Sequence, residues 1–362
     1  MHFFALAGPD LLLGIDADPA ERNIVGLLKH APEVARSALT LRSIGQRISE
    51  LIGGRPTHPV ASVAGGVAAP LTRERHETFR KLAAEGLSIG AQLVETARGA
   101  LAAKQELMTS LPLETHYLGT VNDGRLDLYS GELRLRAPDG SSTQFAEDDW
   151  AAHLREETLP TSYGKYVSCL AGGGARVSFR VGPLARLNCA DRIDTPLAQA
   201  EFERFRELGG NPCHHTVMFH SARLVELLHA AEKLVEIAND PEILSDQVCA
   251  GPKQAPRNAT AHVEAPRGVL IHDYSVDGEG IVTAANLIVA TQQNLSSIDR
   301  TLGQSAERYL DRPDEELLNG IEFGIRCYDP CLSCATHRLG EMKLDVEIRQ
   351  AGEVVRRVRR PS

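Results

Sequence analysis

The spacing of apolar residues predicts a chain that is mainly helical. Apolar side chains recur at three- and four-residue intervals among Arg, Lys and Glu, which is the pattern of a helix with one buried face. The first of these runs ends at Gly53-Gly54, where glycine would supply a C-cap. The predicted helices cover residues 20–53, 71–107, 215–238, 292–309 and 313–326.

A period of two replaces the helical period in shorter segments and predicts small β-sheets. Residues 117–135 alternate around turn signals at Asp123-Gly124 and Ser130-Gly131, which predicts an antiparallel sheet. The stretch over residues 250–260 is rich in Pro, Gly and Asn and is typical of a loop. The predicted fold class is therefore mainly α with small inserted β-sheets (α+β). Further strands are predicted over residues 176–181, 268–275, 280–289 and 342–348, the second and third of them forming a hairpin.

Composition narrows the class of protein. The 362 residues carry a formal charge of −9 and are 43% hydrophobic, which is typical of a globular protein with one deep core or two domains. The acidic balance argues against binding to nucleic acid or an anionic membrane. No apolar run is long enough for a membrane span, and the apolar start, residues 1–7, lacks the basic flank of an export signal. Seven mostly scattered cysteines favour a reducing compartment, so a cytoplasmic location is predicted.

One motif near the carboxyl end could carry metal or redox chemistry. Cys331 and Cys334 follow Asp329-Pro330, and His337 comes three residues later. Two thiolates at this spacing can bind a soft metal or form a redox disulfide. Metal binding is favoured because the pair follows a predicted helix and a proline, and because the histidine adds a nitrogen donor. The alternative is a pair of buried cysteines without a chemical role. A structural zinc knuckle is not predicted, because the sequence has no second pair of ligands for it.

A second motif could present a fixed positive charge. Glu264-Ala265-Pro266-Arg267-Gly268 combines a rigid proline, a permanently charged guanidinium and a glycine that permits close approach to the backbone. Such a turn suits the binding of a small anion. The alternative is that Arg267 pairs with Glu264 or Asp329 and only ties a loop to the core.

The remaining candidates are weaker. Cys213-His214-His215 is more typical of a packed thiol beside surface histidines than of a metal site. Gly172-Gly173-Gly174 matches no phosphate-binding loop. The other cysteines are predicted to lie in the core, namely Cys169, Cys189, Cys249 and Cys327.

These segments together resemble the large, catalytic subunit of nickel–iron hydrogenases, and more closely the cytosolic branch coupled to NAD(P) or F420. The two motifs near residues 264–268 and 329–337 are the most specific part of the likeness, which runs over nearly the whole chain. The segments that carry it are Phe3–Leu6, Pro9–Gly14, Gly53–Arg55, His58-Pro59, Gly65–Val67, Val181–Asn188, Ala222-Arg223, Glu264–Gly268 and Asp329–Cys331, with Cys334 and His337.

The resemblance implies a nickel–iron centre whose iron carries carbon monoxide and cyanide. By this similarity Cys331 is a terminal nickel ligand and Cys334 bridges nickel and iron. His337 is implied as a ligand of a structural divalent cation, usually Mg2+. The implied reaction is the reversible heterolytic cleavage of H2.

The resemblance also implies roles for residues around the metals. Arg267 would lie over their open face as a catalytic group, held by Asp329. Ala265 and Pro266 would surround the diatomic ligands, with Thr291 as a further donor.

Partners and processing follow from the same likeness. Electrons would pass first to an iron–sulfur small subunit, then to subunits that bind NAD(P) or F420, giving a hetero-oligomer. A maturation endopeptidase would cut after His337. Residues 1–337 would then form the catalytic domain and residues 338–362 an extension that is removed.

One departure from the family keeps a second function open. The family's N-terminal Arg-x-Cys-x-x-Cys motif is absent, so we expect that Met1 is internal to a longer protein that supplies the other two thiolates. The alternative is a degenerate, non-catalytic paralogue of the hydrogenase and complex I large-subunit family, acting as a binding or assembly protein.

Overall fold

The structure is a computed structural model that describes residues 2–160, 162, 164–251, 257–331 and 344–360. Within these residues it is mainly helical with small sheets, as predicted. None of the described helices combines the length and the apolar character needed to cross a bilayer. The chain opens with a π-helix, His2–Ala7, in which Phe3 and Phe4 are buried. The α-helices that follow are α1 (Gly8–Leu12), α2 (Ile24–His30), α3 (Pro32–Gly53), α4 (Arg73–Ala102), α5 (Gln105–Met108), α6 (Trp150–His153), α7 (Pro183–Cys189), α8 (Pro196–Gly209), α9 (Phe219–Asn239), α10 (Ala290–Arg308) and α11 (Asp314–Cys327).

The strands form separate small sheets between the helices. The largest has the order β10-β3-β5-β6, with β4 also paired to β3, and β10 runs parallel to β3. Three-stranded sheets join β7, β8 and β9, and β11, β12 and β13, while β1-β2 and β14-β15 are hairpins. The strands are β1 (Ser62–Val63), β2 (Gly66–Val67), β3 (His116–Asn122), β4 (Arg125–Leu126), β5 (Glu132–Arg136), β6 (Ser142–Phe145), β7 (Leu154–Glu157), β8 (Tyr166–Leu170), β9 (Arg176–Val177), β10 (Phe179–Arg180), β11 (Asn258–Ala265), β12 (Gly268–Val276), β13 (Val282–Ile288), β14 (Leu344–Gln350) and β15 (Glu353–Arg360).

The predicted helices are present, but two of the runs are broken. The run over residues 71–107 divides into α4 and α5. The run over residues 20–53 divides into α2 and α3 because Pro32 has no N–H to continue the first helix and instead begins the second. Gly54 ends α3 with φ of 79°, the left-handed cap expected from the double glycine. Thr72 caps α4, its hydroxyl accepting the Arg75 N–H at 3.3 Å.

The strands differ from the prediction at several places. The segment over residues 176–181 divides between two sheets, as β9 and β10. The predicted loop over residues 250–260 overlaps the start of β11, which pairs along its whole length with β12 and was not predicted. The basic carboxyl-terminal cluster lies in β15, which completes a hairpin with the predicted last strand.

Several apolar cores support the molecule. Helix α4 packs against α3 and α9, and its buried residues include Phe79, Leu93 and Ala97. The sheets share a second core, which contains Phe179 and Val269. Burial of these apolar side chains is the main favourable term in folding.

The carboxyl-terminal hairpin docks on α11. Val358 is buried against Leu317 and Leu318. Arg356 donates to Asp314 at the start of α11 and to the carbonyl of Arg312 at 3.0 Å. The hairpin therefore shares a small core with the helix that leads to the cysteine motif.

A buried ionic cluster fixes α11 to the amino-terminal segment. Arg22 is fully buried and donates to Asn319 Oδ1 at 3.0 Å and to Glu322 Oε2 at 2.5 Å. Asp10 Oδ1 lies 3.4 Å from Arg22 Nη1 and accepts from Arg326 Nη1 at 2.9 Å. Since a buried charge is costly unless it is paired, these contacts determine where α11 lies.

The pH dependence of stability should report on this cluster. Burial raises the pKa of Asp10 to about 6, despite the opposing effect of Arg326 and Arg22. The native protein therefore keeps a proton that the unfolded chain releases near pH 4, so the contribution of Asp10 is full below pH 4 and falls as pH rises through 6, by on the order of 3 kcal/mol. We expect Asp10→Asn to flatten the free energy of unfolding between pH 4 and 7, measured by denaturant titration.

Asp16→Asn is the matched control for this measurement, since Asp16 is exposed. An unchanged pH slope in Asp10→Asn would refute the assignment.

Candidate metal centre

A strained turn carries the chain from α11 to Cys331. Asp329 has φ of 53°, a left-handed conformation that costs a non-glycine residue about 1 kcal/mol or more and needs support from its neighbours. Its N–H donates to the carbonyl of Arg326 at 3.2 Å, which closes the turn. Two residues later the Cys331 N–H donates to Thr291 Oγ1 at 3.2 Å, in the first turn of α10. The exposed Cys331 is therefore held between the ends of two helices.

Arg267 contacts the same turn from the β11-β12 connection. Its Nε donates to the Asp329 carbonyl at 2.6 Å and its Nη2 to Asp329 Oδ1 at 3.1 Å. Burial acts against the carboxylate, but His2, Arg223 and Arg267 outweigh it and lower the pKa of Asp329. The ion pair joins the two motifs that the sequence had singled out.

A fully buried arginine holds the connection itself. Arg186 of α7 donates to both carboxylate oxygens of Glu226, at 2.5 and 2.8 Å, and to Glu264 Oε2 at 2.8 Å. It also donates to the carbonyls of Ala265 at 2.8 Å and Pro266 at 3.0 Å. Burial opposes its charge, but the two glutamates more than compensate and raise the pKa of Arg186. Five acceptors around one guanidinium leave the turn before Arg267 little freedom.

Close backbone packing fixes the other side of this turn. Gly268 has φ of 139°, and a Cβ there would lie 2.4 Å from a side-chain carbon of Val181. A Cβ on Gly182 would lie 2.7 Å from the Arg267 carbonyl. Both positions therefore require glycine.

The turn opens on a cavity of about 550 Å³. Its polar lining includes His2, Arg186, Arg223, Arg267 and Asp329. Its apolar lining includes Phe3, Phe4, Leu6, Leu224, Leu227, Ala265 and Pro266. Such a mixture of apolar walls and a few convergent polar groups is typical of a binding site.

Polar groups beside the cavity are left unsatisfied. The Nη1 and Nη2 atoms of Arg223 and both ring nitrogens of His220 are buried and make no hydrogen bond within the described part of the chain. Burial lowers the pKa of Arg223 to about 10 and that of His220 well below its usual value. Buried donors without acceptors mark a place where a further polar group or water belongs.

The predicted site residues divide into two sets. Arg267, Asp329, Ala265, Pro266, Thr291 and Cys331 converge near the cavity and the end of α11. Cys334 and His337 lie outside the described residues. Among the residues that are described, no three His, Cys, Asp or Glu side chains are grouped to hold a metal.

The remaining cysteines are buried, with one exception among those that the structure describes. Cys213 is buried, as expected for a packed thiol, and Tyr117 Oη lies 2.6 Å from Nδ1 of His214. Cys169, Cys189 and Cys327 lie in the core, but Cys249 is exposed, so its prediction was wrong. Cys249 lies beside the β1-β2 hairpin, opposite Gly66, and its thiol lies 3.5 Å from the carbonyl of Ala64.

Sequence reasoning missed the residues that position the site. Arg186 and Arg223 stood within the segments that carry the family likeness but were given no role, and Glu226 and His2 were not singled out. A charged residue in an otherwise apolar helical run is the one signal that could have found Arg186, since α7 is buried along its length.

Comparisons with known proteins agree with this architecture. The sequence pattern described as "Nickel-dependent hydrogenase" matches residues 144–337. The chain is 35% identical over 374 residues to a protein of the vhc F420-non-reducing hydrogenase of Methanococcus voltae, covering 98% of this chain and 77% of that protein. It is 37% identical over 366 residues to the NAD-reducing hydrogenase HoxS subunit beta of Cupriavidus necator, covering 96% and 74%.

A solved structure extends the likeness to the fold. The crystal structure of an NAD+-reducing [NiFe]-hydrogenase in the H2-reduced state aligns with a TM-score of 0.85 and 36% identity, over 93% of this chain and 76% of that one. This chain belongs to the nickel-dependent hydrogenase family and has the fold of the nickel–iron hydrogenase large subunit. The predictions of this family, of the mainly helical fold and of an oxidoreductase acting on H2 are confirmed.

The residues present fit the nickel–iron centre that this family implies. Cys331 offers a soft thiolate donor on a turn fixed by Thr291 and Arg267. The unsatisfied guanidinium of Arg223 and the apolar walls of the adjoining cavity suit a group that presents acceptor atoms within an otherwise apolar site.

Replacement of Arg186 should destabilise the protein strongly. Arg186→Ala would leave Glu264, whose side chain is fully buried, without its cation, so we expect a loss of about 3–5 kcal/mol in the free energy of unfolding. Arg192→Ala removes an exposed pair with Asp123 and should cost less than about 1 kcal/mol. Equal losses in the two variants would contradict the role given to Arg186.

Proposed function

We propose that this chain is the catalytic subunit of a nickel–iron hydrogenase that cleaves H2 heterolytically and reversibly. The observation that carries the proposal is the contact between Arg267 and Asp329, 62 residues apart in the chain, beside the first cysteine of the pair. In a member of this family, that contact places a fixed guanidinium beside the turn that carries the thiolate of Cys331.

The metal ligands of the proposal are Cys331, Cys334 and His337. Cys331 would be a thiolate ligand of nickel and Cys334 a second thiolate ligand of the nickel–iron centre, whose iron would carry carbon monoxide and cyanide. His337 binds Mg2+, for which oxygen and nitrogen donors suit better than sulfur. Thiolates are the natural donors for the softer metals of the pair.

The residues around the centre would hold and shield it. The carbonyls of Ala265 and Pro266 are taken by Arg186, so these residues offer the cavity mainly apolar groups, which suit diatomic ligands. The Thr291 hydroxyl accepts the Cys331 N–H and keeps its own proton to donate. Arg267 is engaged at Nε and Nη2, which leaves Nη1 without a hydrogen bond within the described residues.

This arrangement suits the separation of a proton from H2. When bound, the nickel–iron centre supplies the Lewis acid that accepts the electron pair of the broken bond. The sulfur of Cys331 would accept the proton, and the fixed charge of Arg267 would stabilise the negative charge that develops nearby. The apolar walls would keep bulk water out, which strengthens both interactions.

The partners of the proposal are other subunits. An iron–sulfur small subunit would take the electrons and pass them to a subunit that binds a soluble cofactor. The relative from Methanococcus voltae is named F420-non-reducing and the relative from Cupriavidus necator is named NAD-reducing, so these two names favour NAD over F420 as the final acceptor.

Loss of one thiolate tests the proposal. In the native complex, Cys331→Ser should lose nickel and H2 uptake together, because serine is a hard, neutral donor that replaces a soft thiolate. Nickel is measured by elemental analysis and uptake by hydrogen consumption. Cys249→Ser, which changes another exposed thiol, should behave as the wild type. A nickel content unchanged in Cys331→Ser would remove Cys331 from the site.

We also propose that residues 1–337 form the catalytic domain and that residues 338–362 are removed by a maturation endopeptidase once nickel is bound. The hairpin of β14 and β15 belongs to the part that would leave. The apolar contact between the hairpin and α11 is small, and Val358 is its buried residue on the hairpin side. A small contact suits a segment that is removed.

Intact-mass spectrometry tests this processing. The active complex should contain a chain that ends at His337, while nickel-free cells should accumulate the form with the extension. An active, nickel-loaded chain that keeps the extension would refute the proposed cleavage.

A further inference from the structure

His2 spans both ends of the turn that delivers Asp329. Its Nε2 lies 2.8 Å from the carbonyl of Arg326 and its Nδ1 lies 3.0 Å from Asp329 Oδ1. The side chain is only 13% exposed and comes from the opposite end of the described chain. The ring therefore lies between the first and last residues of this turn, with a hydrogen-bond contact to the Arg326 carbonyl and an ion-pair contact, not aligned as a hydrogen bond, to Asp329.

The conformation of this turn requires stabilising contacts. Asp329 is in the left-handed region, which its neighbours must stabilise. The same carboxylate oxygen, Oδ1, also receives Nη2 of Arg267 at 3.1 Å. Any rotation of the Asp329 side chain would therefore remove the contact that orients Nη2 of Arg267.

We propose that His2 is a positioning residue that locks Asp329, and through it Arg267, in the orientation used at the metal centre. The expected effect on H2 uptake rests on the proposed function, whereas the claim that His2 positions Arg267 does not depend on it. Groups that hold the partner of an active-site residue commonly matter 10- to 100-fold in activity or affinity.

Both groups that His2 meets are hydrogen-bond acceptors. A neutral imidazole has one N–H and can donate to only one of them, whereas a protonated ring donates to both. Burial and Arg223 lower the pKa of His2, while Asp329 and the Arg326 carbonyl act in the opposite direction. The charged and titratable groups around the ring are Asp329, Arg223, Arg326 and His220.

The substitution His2→Gln distinguishes a positioning role of His2 from a role that depends on its protonation. The amide NH2 of glutamine has two N–H bonds and can donate to both acceptors without a charge. If His2 acts by position, His2→Gln retains the function and His2→Leu loses it. His30→Leu is the control, because His30 is exposed and pairs with Glu21 on the surface.

The experiment compares these three variants with the wild-type native complex by two readouts. The first is the rate at which phenylglyoxal modifies Arg267, followed by peptide mass spectrometry. His2→Leu should raise this rate about tenfold, as expected for the loss of one close contact with a charged group. The second is H2 uptake, where His2→Leu should lower kcat about 10- to 100-fold with KM and nickel content unchanged. His2→Gln and His30→Leu should match the wild type in both readouts.

Two results would overturn the proposal. One is a wild-type Arg267 reactivity and kcat in His2→Leu, and the other is a loss in His2→Gln as large as in His2→Leu. A wild-type complex without nickel would instead end the proposed hydrogenase function. The phenylglyoxal comparison would still decide whether His2 positions Arg267.

Discussion

The site depends on the burial of one charge, the guanidinium of Arg186. An ion removed from water must be surrounded by acceptors, and Arg186 finds them in Glu226, Glu264 and the carbonyls of Ala265 and Pro266. Because these acceptors come from α9 and from the end of β11, the same interaction joins a helix to a strand and shapes the turn before Arg267. The orientation of Arg267 therefore depends on the hydrogen bonds that the buried Arg186 requires.

A second set of contacts brings the cysteine motif to this turn. Helix α11 is tied to the amino-terminal segment through Arg22 and Glu322, and its carboxyl end presents Asp329 to Arg267. Thr291 of α10 then fixes Cys331. Four segments that are far apart in the chain thus meet around the turn that carries Asp329 and Cys331. The polar contacts here are directional and mostly buried, which holds a catalytic geometry better than apolar packing alone.

The sequence predicted the elements better than their connections. Helical periodicity identified α3, α4, α9, α10 and α11, since each has an apolar face that must be buried. Strand β11 was missed because its alternation is weak and its partner is β12, so its pairing energy comes from outside the segment. At the site, the pairing of Arg267 with Asp329 was anticipated, whereas the contacts of Arg186 and His2 were not. The partners of Arg186 lie 40 to 80 residues away and those of His2 more than 300, and pairing over such separations leaves no local trace in a single sequence.

The sequence by itself determined the family, the mainly helical fold and the two motifs that carry the chemistry, because these depend on local periodicity and on residue types at fixed short spacings. Only the tertiary structure decided how the motifs meet: that Arg186 holds the turn, that His2 lies between Arg326 and Asp329, and that Cys249 is exposed. Local patterns determine which helices and strands form and which face each one buries. The choice among many possible partners for a buried charge is made when distant segments pack together, since only then is water excluded and the hydrogen bonds become obligatory.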